Sequence, residues 1–220
     1  MKYIYGLNKS GQSIISYLDK IGENYYCWDD DSEVRKKLIK SNNKIKLIEP
    51  KKLNLKLIDE SFISPGISLT NKKINFLNKK TIKLYRDLEL YSRISKEKKT
   101  IAVTGTNGKS TTSKLISDLL SIDSIENFLG GNIGIPLLDF YNESKEIIFH
   151  VIELSSFQLE STVSFNPYIS ILLNIYPDHL DRYKSFKDYS FQKEKILNLN
   201  KQGNNIVCIN DKKTLEIYDK

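Results

Sequence analysis

The chain of 220 residues is 40% hydrophobic and 28% charged, which excludes an intrinsically disordered chain and is typical of a folded protein of one or two domains. Its net charge of +7 comes from scattered lysines without a basic stripe between aromatic residues, so we expect no nucleic-acid partner. Cys27 and Cys208 form no metal or redox motif, and no signal-peptide core or run of about 20 apolar residues occurs. We therefore expect a cytoplasmic protein that does not insert into a membrane. We also expect it to be a monomer.

Short apolar runs alternate with helical stretches over the first 94 residues. The runs predict strands at residues 3–5, 25–28, 45–48, 61–63 and, with a weaker pattern, 82–84. Helical spacing follows at residues 11–21, 32–40 and 87–95, with Ser32 as the N-cap of the second helix. Strands that alternate with helices in this way predict an α/β fold with a parallel sheet.

A polar link at residues 95–99 separates this pattern from a second one. Strands are predicted at residues 100–103, 147–152, 168–173 and 206–209, and helices at residues 109–120 and 184–199. The continuous apolar runs among these strands are typical of a parallel sheet that is buried on both faces. The sequence thus predicts two α/β domains, residues 1–94 and residues 95–220, and we expect the second to be incomplete.

A glycine-rich loop after the strand at 100–103 is the strongest functional motif. It runs Thr104-Gly105-Thr106-Asn107-Gly108-Lys109-Ser110-Thr111 and opens a helix. Backbone N–H groups and the positive end of a helix dipole favour phosphate binding at such a place, with Lys109 on the terminal phosphates and Ser110 on Mg²⁺. The usual pattern has a glycine where Val103 stands, so the loop is a shorter variant, and a chance glycine-rich turn is the alternative interpretation.

Glu153 and His179 each follow a predicted buried strand. In an open parallel sheet the carboxyl ends of the strands are where ligands bind, so Glu153 beside a phosphate loop suits Mg²⁺, which prefers oxygen ligands. The alternative for Glu153 is an acid that favours the start of a helix. A lone histidine such as His179 is more often structural than functional, and His150, inside a strand, receives no role.

The loop between Gly6 and Gly11 has the position of a dinucleotide-binding turn, since it follows one strand and precedes a helix. Only two of the three expected glycines are present, because Asn8 replaces the middle one. This substitution argues against a regular NAD site.

The order and spacing of several blocks over nearly the whole chain resemble the Mur ligase family, and in particular its D-glutamate-adding member. The blocks are the phosphate loop, Ser64-Pro65-Gly66-Ile67, Asp87-Leu88-Glu89-Leu90, Gly131-Asn132-Ile133-Gly134, Glu153-Leu154-Ser155-Ser156-Phe157-Gln158-Leu159-Glu160 and Asp178-His179-Leu180-Asp181-Arg182-Tyr183. The block from Glu153 to Glu160 is the most specific of them.

The resemblance implies a role for each of a set of residues. ATP would bind the loop from Gly105 to Thr111, with Lys109, Glu153, His179 and Lys193 as catalytic residues. Two Mg²⁺ ions would be held by Ser110, Glu153, His179 and a Lys193 that CO₂ has carbamylated, although Lys195 is a rival and a solvated helix lysine is the alternative. Residues implied to bind the UDP-sugar substrate are Asn8, Lys9, Ser10, Asp29, Asp30, Ser64, Pro65, Gly66, Asn132, Ser155 and Gln158.

The fold and activity implied by the resemblance are those of a ligase of peptidoglycan precursor synthesis, a process tied to cell-wall growth and cell division. A Rossmann-like domain over residues 1–94 would hold the UDP precursor, and a P-loop-type ATPase domain would follow from residue 95. D-Glutamate would be joined to UDP-N-acetylmuramoyl-L-alanine through an acyl phosphate. Because the family's third domain is absent, we expect the 220 residues alone to be inactive. Another amide ligase of the superfamily and a non-catalytic precursor-binding module are the alternatives.

Overall fold

The computed structural model describes residues 1–78, 82–142 and 147–219, and its strands form two sheets. The first has the order β2-β1-β3-β4 and the second the order β6-β7-β5-β8-β9, with every pair parallel. The strands are β1 Lys2–Tyr5, β2 Tyr25–Trp28, β3 Glu60–Ile63, β4 Lys83–Tyr85, β5 Lys99–Thr104, β6 Asn127–Gly131, β7 Phe149–Glu153, β8 Ile169–Leu172 and β9 Asn205–Val207. The predicted α/β class with parallel sheets is confirmed.

Helices connect these strands, as parallel pairing requires. They are α1 Lys9–Lys20, α2 Ser32–Ser41, α3 Asn75–Asn78, α4 Asp87–Ile94, α5 Lys109–Ile122, α6 Ser156–Leu159, α7 Phe186–Leu199 and α8 Lys212–Tyr218, with 3-10 turns at Pro50–Lys52, Leu55–Leu57 and Leu137–Asn142. No helix in the described ranges has the length and apolar character needed to cross a membrane.

Two local predictions differ from the structure, and some elements were not predicted. The apolar segment at residues 45–48 is not a strand of the sheet, because it makes a single bridge, between Cys27 and Leu47, beside the edge strand β2. The cap of α2 is Asp31 rather than Ser32, since the Asp31 carboxylate accepts a hydrogen bond from the amide of Glu33. Strand β6 and helix α8 were not predicted from the sequence.

Helix α4 packs between the two sheets. Leu88 and Tyr91 of this helix are fully buried in a hydrophobic cluster that contains Ile4 of the first sheet and Ile152 of the second. The 3-10 turn at Leu137–Asn142 adds Phe140, whose ring lies 5.4 Å from that of Tyr91 in an edge-to-face arrangement. The two sheets therefore share this cluster, and separate clusters lie elsewhere in the fold.

Candidate functional site

Three strands of the second sheet end at the same edge. The register pairs Val103 of β5 and Gly131 of β6 with Glu153 of β7. Because all the strands are parallel, their carboxyl ends bring the loops after β5, β6 and β7 together. This edge holds most of the residues that the sequence predicts for nucleotide and metal.

The glycine-rich loop follows β5 and opens α5, as predicted. Gly108 is the residue before the helix and has a φ of 81°, a left-handed conformation that favours glycine. The amino group of Lys109 donates a hydrogen bond to the carbonyl oxygen of Thr106 at 2.8 Å, so this side chain folds back over the loop. Thr111 lies exposed in the first turn of α5.

Asn174, which the sequence analysis missed, organises the loop. Its Oδ1 accepts hydrogen bonds from the amides of Thr106 and Asn107 at 3.1 and 2.8 Å, and its Nδ2 donates to the carbonyl oxygen of Asn107 at 3.0 Å. The available signal was its position, since a polar residue just after the buried strand β8 faces the ligand edge. In this conformation the side chain of Asn174 therefore occupies the backbone amides of Thr106 and Asn107.

Glu153 joins three of the loops at this edge. Its side chain is 1% exposed. One carboxylate oxygen accepts a hydrogen bond from the Ser110 hydroxyl at 2.7 Å, and the other accepts one from the Asn132 amide at 2.8 Å. The backbone of the β6 loop is also close, because the amide of Asn132 donates to the carbonyl oxygen of Glu153 at 2.9 Å.

Gly131 is required for this approach. Its φ is 113°, and a Cβ atom added there would lie 2.3 Å from the carbonyl oxygen of Glu153. No side chain fits at that distance, so the contact between the β6 loop and Glu153 depends on glycine.

The chemistry of these groups fits a hard divalent cation. Glu153 and Ser110 present carboxylate and hydroxyl oxygens, which Mg²⁺ prefers, and the side-chain nitrogen of Asn132 donates to the Glu153 carboxylate. Across the described residues, no group of three or more histidine, cysteine, aspartate or glutamate side chains is placed to hold a metal. A set with so few protein carboxylates suits Mg²⁺, which usually keeps several waters and binds substrate phosphates, better than it suits Zn²⁺.

Lys193 of α7 contacts the glycine-rich loop. It is 2% exposed, and its amino group donates a hydrogen bond of 2.6 Å to the carbonyl oxygen of Gly105. Burial, helped by the charge of nearby Lys109, lowers the pKa of Lys193 to about 7, although Asp178 and Glu153 oppose this shift. Lys195 points elsewhere and donates to the carbonyl oxygen of Glu160 at 2.8 Å.

His179 lies in the loop between β8 and α7. It has a φ of 52°, and its side chain is 45% exposed. Its ring centroid is 4.8 Å from that of Phe157, and its Nε2 is 3.6 Å from the carboxylate of Asp178. The imidazole is therefore accessible to a ligand, whereas His150 is buried in the core and bonds to the Tyr91 hydroxyl.

A cleft of about 330 Å³ lies where the two sheets meet. Eight of the eleven predicted substrate residues line it, and they come from four different parts of the chain. They are Asn8, Lys9, Ser10, Ser64, Pro65, Gly66, Asn132 and Gln158. Because Asn132 also contacts Glu153, the cleft adjoins the candidate metal site.

The other three predicted substrate residues do not line this cleft. Asp29 is 9% exposed and accepts hydrogen bonds from the amides of Leu7 and Asp31 at 2.6 and 2.9 Å. Asp30 pairs with Lys73 at 2.7 Å. Ser155 caps α6, where it forms a capping box with Gln158.

Asp87 is a second residue that the site contains and the sequence analysis did not assign. It is 3% exposed at the start of α4 and accepts hydrogen bonds from Ser10 and from the Gln158 amide, the latter at 3.4 Å. Burial raises the pKa of this carboxyl, and the hydrogen bonds and Arg86 only partly offset the effect. Through these hydrogen bonds, Asp87 connects the cleft wall that contains Ser10 with the wall that contains Gln158.

The chain is similar to a known protein family and to several known proteins. Residues 103–220 match the Mur ligase middle domain. UDP-N-acetylmuramoylalanine--D-glutamate ligase of Wolbachia pipientis is 38% identical over 99% of the chain and 42% of its own length. The enzymes with the same name in Rickettsia prowazekii and Caldicellulosiruptor saccharolyticus are 38% and 32% identical over 88% and 97% of the chain. The chain spans 42 to 49% of the length of these three relatives.

Solved structures show the same fold at lower identity. UDP-N-acetylmuramate:L-alanyl-gamma-D-glutamyl-meso-diaminopimelate ligase from Neisseria meningitides superposes with a TM-score of 0.65 at 15% identity, over 99% of the chain and 74% of that structure. UDP-N-acetylmuramate-alanine ligase from Thermotoga maritima gives 0.53 at 18% identity, over 98% of the chain and 50% of that structure. These two structures support the fold alone.

Proposed function

The chain belongs to the Mur ligase family, and from that premise we propose that it serves the ATP-dependent joining of D-glutamate to UDP-N-acetylmuramoyl-L-alanine in peptidoglycan precursor synthesis. One observation carries the proposal: Glu153 bonds to Ser110 of the phosphate loop and to Asn132 of the cleft. A carboxylate between the phosphate loop and the cleft suits a transfer of phosphate from a nucleotide to a substrate. The D-glutamate specificity is taken from the names of the curated relatives.

In this proposal the chain is divided at the polar link after α4. Residues 1–94 bind the UDP precursor, and residues 95–220 bind ATP as part of the central domain. The division is supported by the two sheets, whose strands fall on either side of the link. The substrate cleft then lies at the junction between the two parts.

ATP would be bound by the loop from Gly105 to Thr111. Lys109 would leave the carbonyl oxygen of Thr106 to reach the terminal phosphates, and the amides now bonded to Asn174 would turn to the phosphate oxygens. Glu153 and Ser110 would hold Mg²⁺, whose chemistry is to neutralise negative charge on the transferred phosphoryl group.

Lys193 is proposed as the carbamylated lysine, with His179 as a ligand of a second metal ion. Carbamylation requires a neutral amine, and the pKa of about 7 leaves a large neutral fraction at neutral pH. Its position also favours Lys193 over Lys195, because Lys193 contacts the phosphate loop whereas Lys195 contacts the backbone of Glu160.

The precursor would lie in the cleft between the two sheets. Asn8, Lys9 and Ser10 begin α1, where free amides and a lysine favour a diphosphate. The precursor's carboxylate would attack the γ-phosphate of ATP to give an acyl phosphate and ADP. The amine of D-glutamate would then attack the acyl carbon, forming the amide and releasing phosphate.

A calorimetric titration tests precursor binding directly. The chain is titrated with UDP-N-acetylmuramoyl-L-alanine, UDP-N-acetylmuramate and NADH in separate runs. Preference for the alanyl precursor is the expected result. Binding of NADH without binding of either precursor would mean that the Gly6 loop is an ordinary dinucleotide site and that the proposal is wrong.

Turnover and amino-acid choice require a second assay. Release of ADP is followed with the alanyl precursor, MgATP and each of several amino acids, both for this chain and for a longer form of the protein. Turnover that occurs with D-glutamate and with no other amino acid supports the proposal. Turnover with another amino acid points to a different ligase of the family. Precursor binding without turnover in the longer form would favour a non-catalytic binding module.

A further inference from the structure

Arg86 is a fully buried cation at the junction between the two sheets. Its side chain is 0% exposed, just before the first turn of α4. A buried guanidinium is costly unless its N–H groups find acceptors, so its partners indicate what it holds in place.

One nitrogen of Arg86 binds the backbone of a single loop. Nη1 donates hydrogen bonds to the carbonyl oxygens of Ile63, Ser64 and Ile67 at 3.2, 2.8 and 2.8 Å. This loop follows β3 and contains Pro65 and Gly66, which line the cleft. Arg86 therefore fixes the shape of one cleft wall from the buried side.

The other nitrogen reaches the second part of the chain. Nη2 of Arg86 forms an ion pair with Glu160, which follows α6. Arg182 completes the arrangement, since it donates to the carbonyl oxygen of Ile67 at 3.1 Å and lies 3.7 Å from the same Glu160 carboxylate. Glu160 thus holds two arginines that both bind the loop after β3.

The loop in turn touches the turn between β1 and α1. Gly6 has a φ of 94°, and a Cβ added to it would lie 2.5 Å from the Cβ of Ser64 and 2.7 Å from the Cδ1 of Ile67. A shift of the loop after β3 would therefore disturb the turn that presents Asn8 and Lys9 to the cleft. Two walls of the cleft depend on the position that Arg86 gives to Ser64 and Ile67.

We propose that Arg86 is a positioning residue for the precursor, which holds the loop of residues 63–67 in its binding conformation and couples it to the central part of the chain through Glu160. The inference rests on the proposed function for the identity of the ligand. The coupling itself rests on the contacts of Arg86. Arg86 has no contact with the phosphate loop among its hydrogen bonds and ion pairs in the described structure, so its effect is confined to the precursor side.

The test combines hydrogen exchange with two titrations. In Arg86→Lys one amine cannot replace bonds to three carbonyls and a carboxylate, so the amides of Ser64 and Ile67 should exchange faster. The Kd for UDP-N-acetylmuramoyl-L-alanine should rise about tenfold, because the loop must be ordered on binding, while the Kd for MgATP stays within about twofold. Glu160→Gln leaves Arg86 in place. It should also speed the exchange of the Ser64 and Ile67 amides and raise the Kd for the precursor.

Arg93→Lys is the matched control. Arg93 lies on the same helix and is paired with Glu60 and Glu89, away from the loop, so this variant should leave loop exchange and both affinities unchanged. Unchanged exchange and precursor affinity in Glu160→Gln would overturn the inference, even if Arg86→Lys does not fold. Equal losses of precursor and MgATP affinity would also overturn it, since they indicate general destabilisation. If the unaltered chain binds no precursor, the proposed function fails, and faster loop exchange in the variants would still establish the coupling.

Discussion

The amino group of Lys193 lies 2.6 Å from the carbonyl oxygen of Gly105, so a buried lysine of α7 contacts the first glycine of the phosphate loop. The hydroxyl of Thr106 strengthens this connection, because it lies 3.0 Å from the hydroxyl of Tyr189 on the same helix. The position of α7 and the conformation of the loop are therefore coupled. A chemical change at Lys193 would therefore alter the conformation of the loop where phosphate is expected to bind.

The reactivity of Lys193 toward CO₂ should depend on pH. Its pKa of about 7 means that the amine is protonated and unreactive below pH 7 and becomes neutral as the pH rises through that value. With ¹³C-labelled bicarbonate, we expect a carbamate signal in the carbon NMR spectrum at pH 8 that weakens below pH 7. Lys193→Arg should abolish the signal and Lys195→Arg should retain it. The reverse pattern would assign the carbamate to Lys195.

Substitution of Glu153 should weaken MgATP binding. Glu153→Gln keeps the size of the side chain but removes the charge that faces Ser110 and Asn132. A bond to a charged group contributes about 1.5–3 kcal/mol, so the Kd for MgATP should rise roughly 10- to 150-fold. The measurement is calorimetry with MgATP. The exposed Glu97→Gln, on the link between the sheets, is the charge-matched control. A normal MgATP affinity in Glu153→Gln would remove Glu153 from the metal site.

Two glycines near the cleft should differ in their tolerance of alanine. Both Gly131 and Gly134 have positive φ, of 113° and 67°, but only at Gly131 would a Cβ meet backbone, 2.3 Å from the carbonyl oxygen of Glu153. Gly134→Ala should cost about 1–2 kcal/mol for the left-handed conformation. Gly131→Ala should cost roughly 3 kcal/mol, because strain and a steric clash add. Urea unfolding measures both, and equal losses would contradict the close approach of the β6 loop.

The buried carboxyl of Asp87 should affect stability in a pH-dependent way. Burial raises its pKa in the folded state above the unfolded value, so ionisation opposes folding and the contribution of Asp87 to stability falls as the pH rises. Asp87→Asn cannot ionise. As the pH rises from 4 to 8, the free energy of unfolding of this variant should therefore increase relative to that of the unaltered chain. A difference between the two proteins that does not change with pH would contradict the raised pKa.

The parts of the site that are continuous in sequence could be predicted. The phosphate loop and the position of Glu153 after a buried strand are local patterns, and parallel pairing then fixes the edge of the sheet where they lie. Strand β6 escaped prediction because Asn127–Gly131 ends in two glycines and has no continuous apolar run. The segment at 45–48 has the apolar pattern of a strand but lies beside the edge strand β2 with only one bridge.

The residues that hold the cleft and the phosphate loop in place could not be found in this way. Asn174, Asp87 and Arg86 act through partners that are 19 to 77 residues away in the chain. Sequence analysis places a polar residue near a strand end or a helix start, but only tertiary packing shows which backbone groups it meets. The cap of α2 differs by a single residue, Asp31 for Ser32, which is the ordinary uncertainty of helix boundaries.

The core that α4 shares between the sheets has a consequence for the folding of the chain. Leu88 and Tyr91 are buried against residues of both halves, so neither half can complete its packing before the other is present. We expect heat or urea to unfold the described sheets in one cooperative transition rather than in two steps. A protease cut in the link at residues 95–99 should not release two stable folded pieces. The chain, for which we propose a division of function at that link, would then behave as a single folding unit.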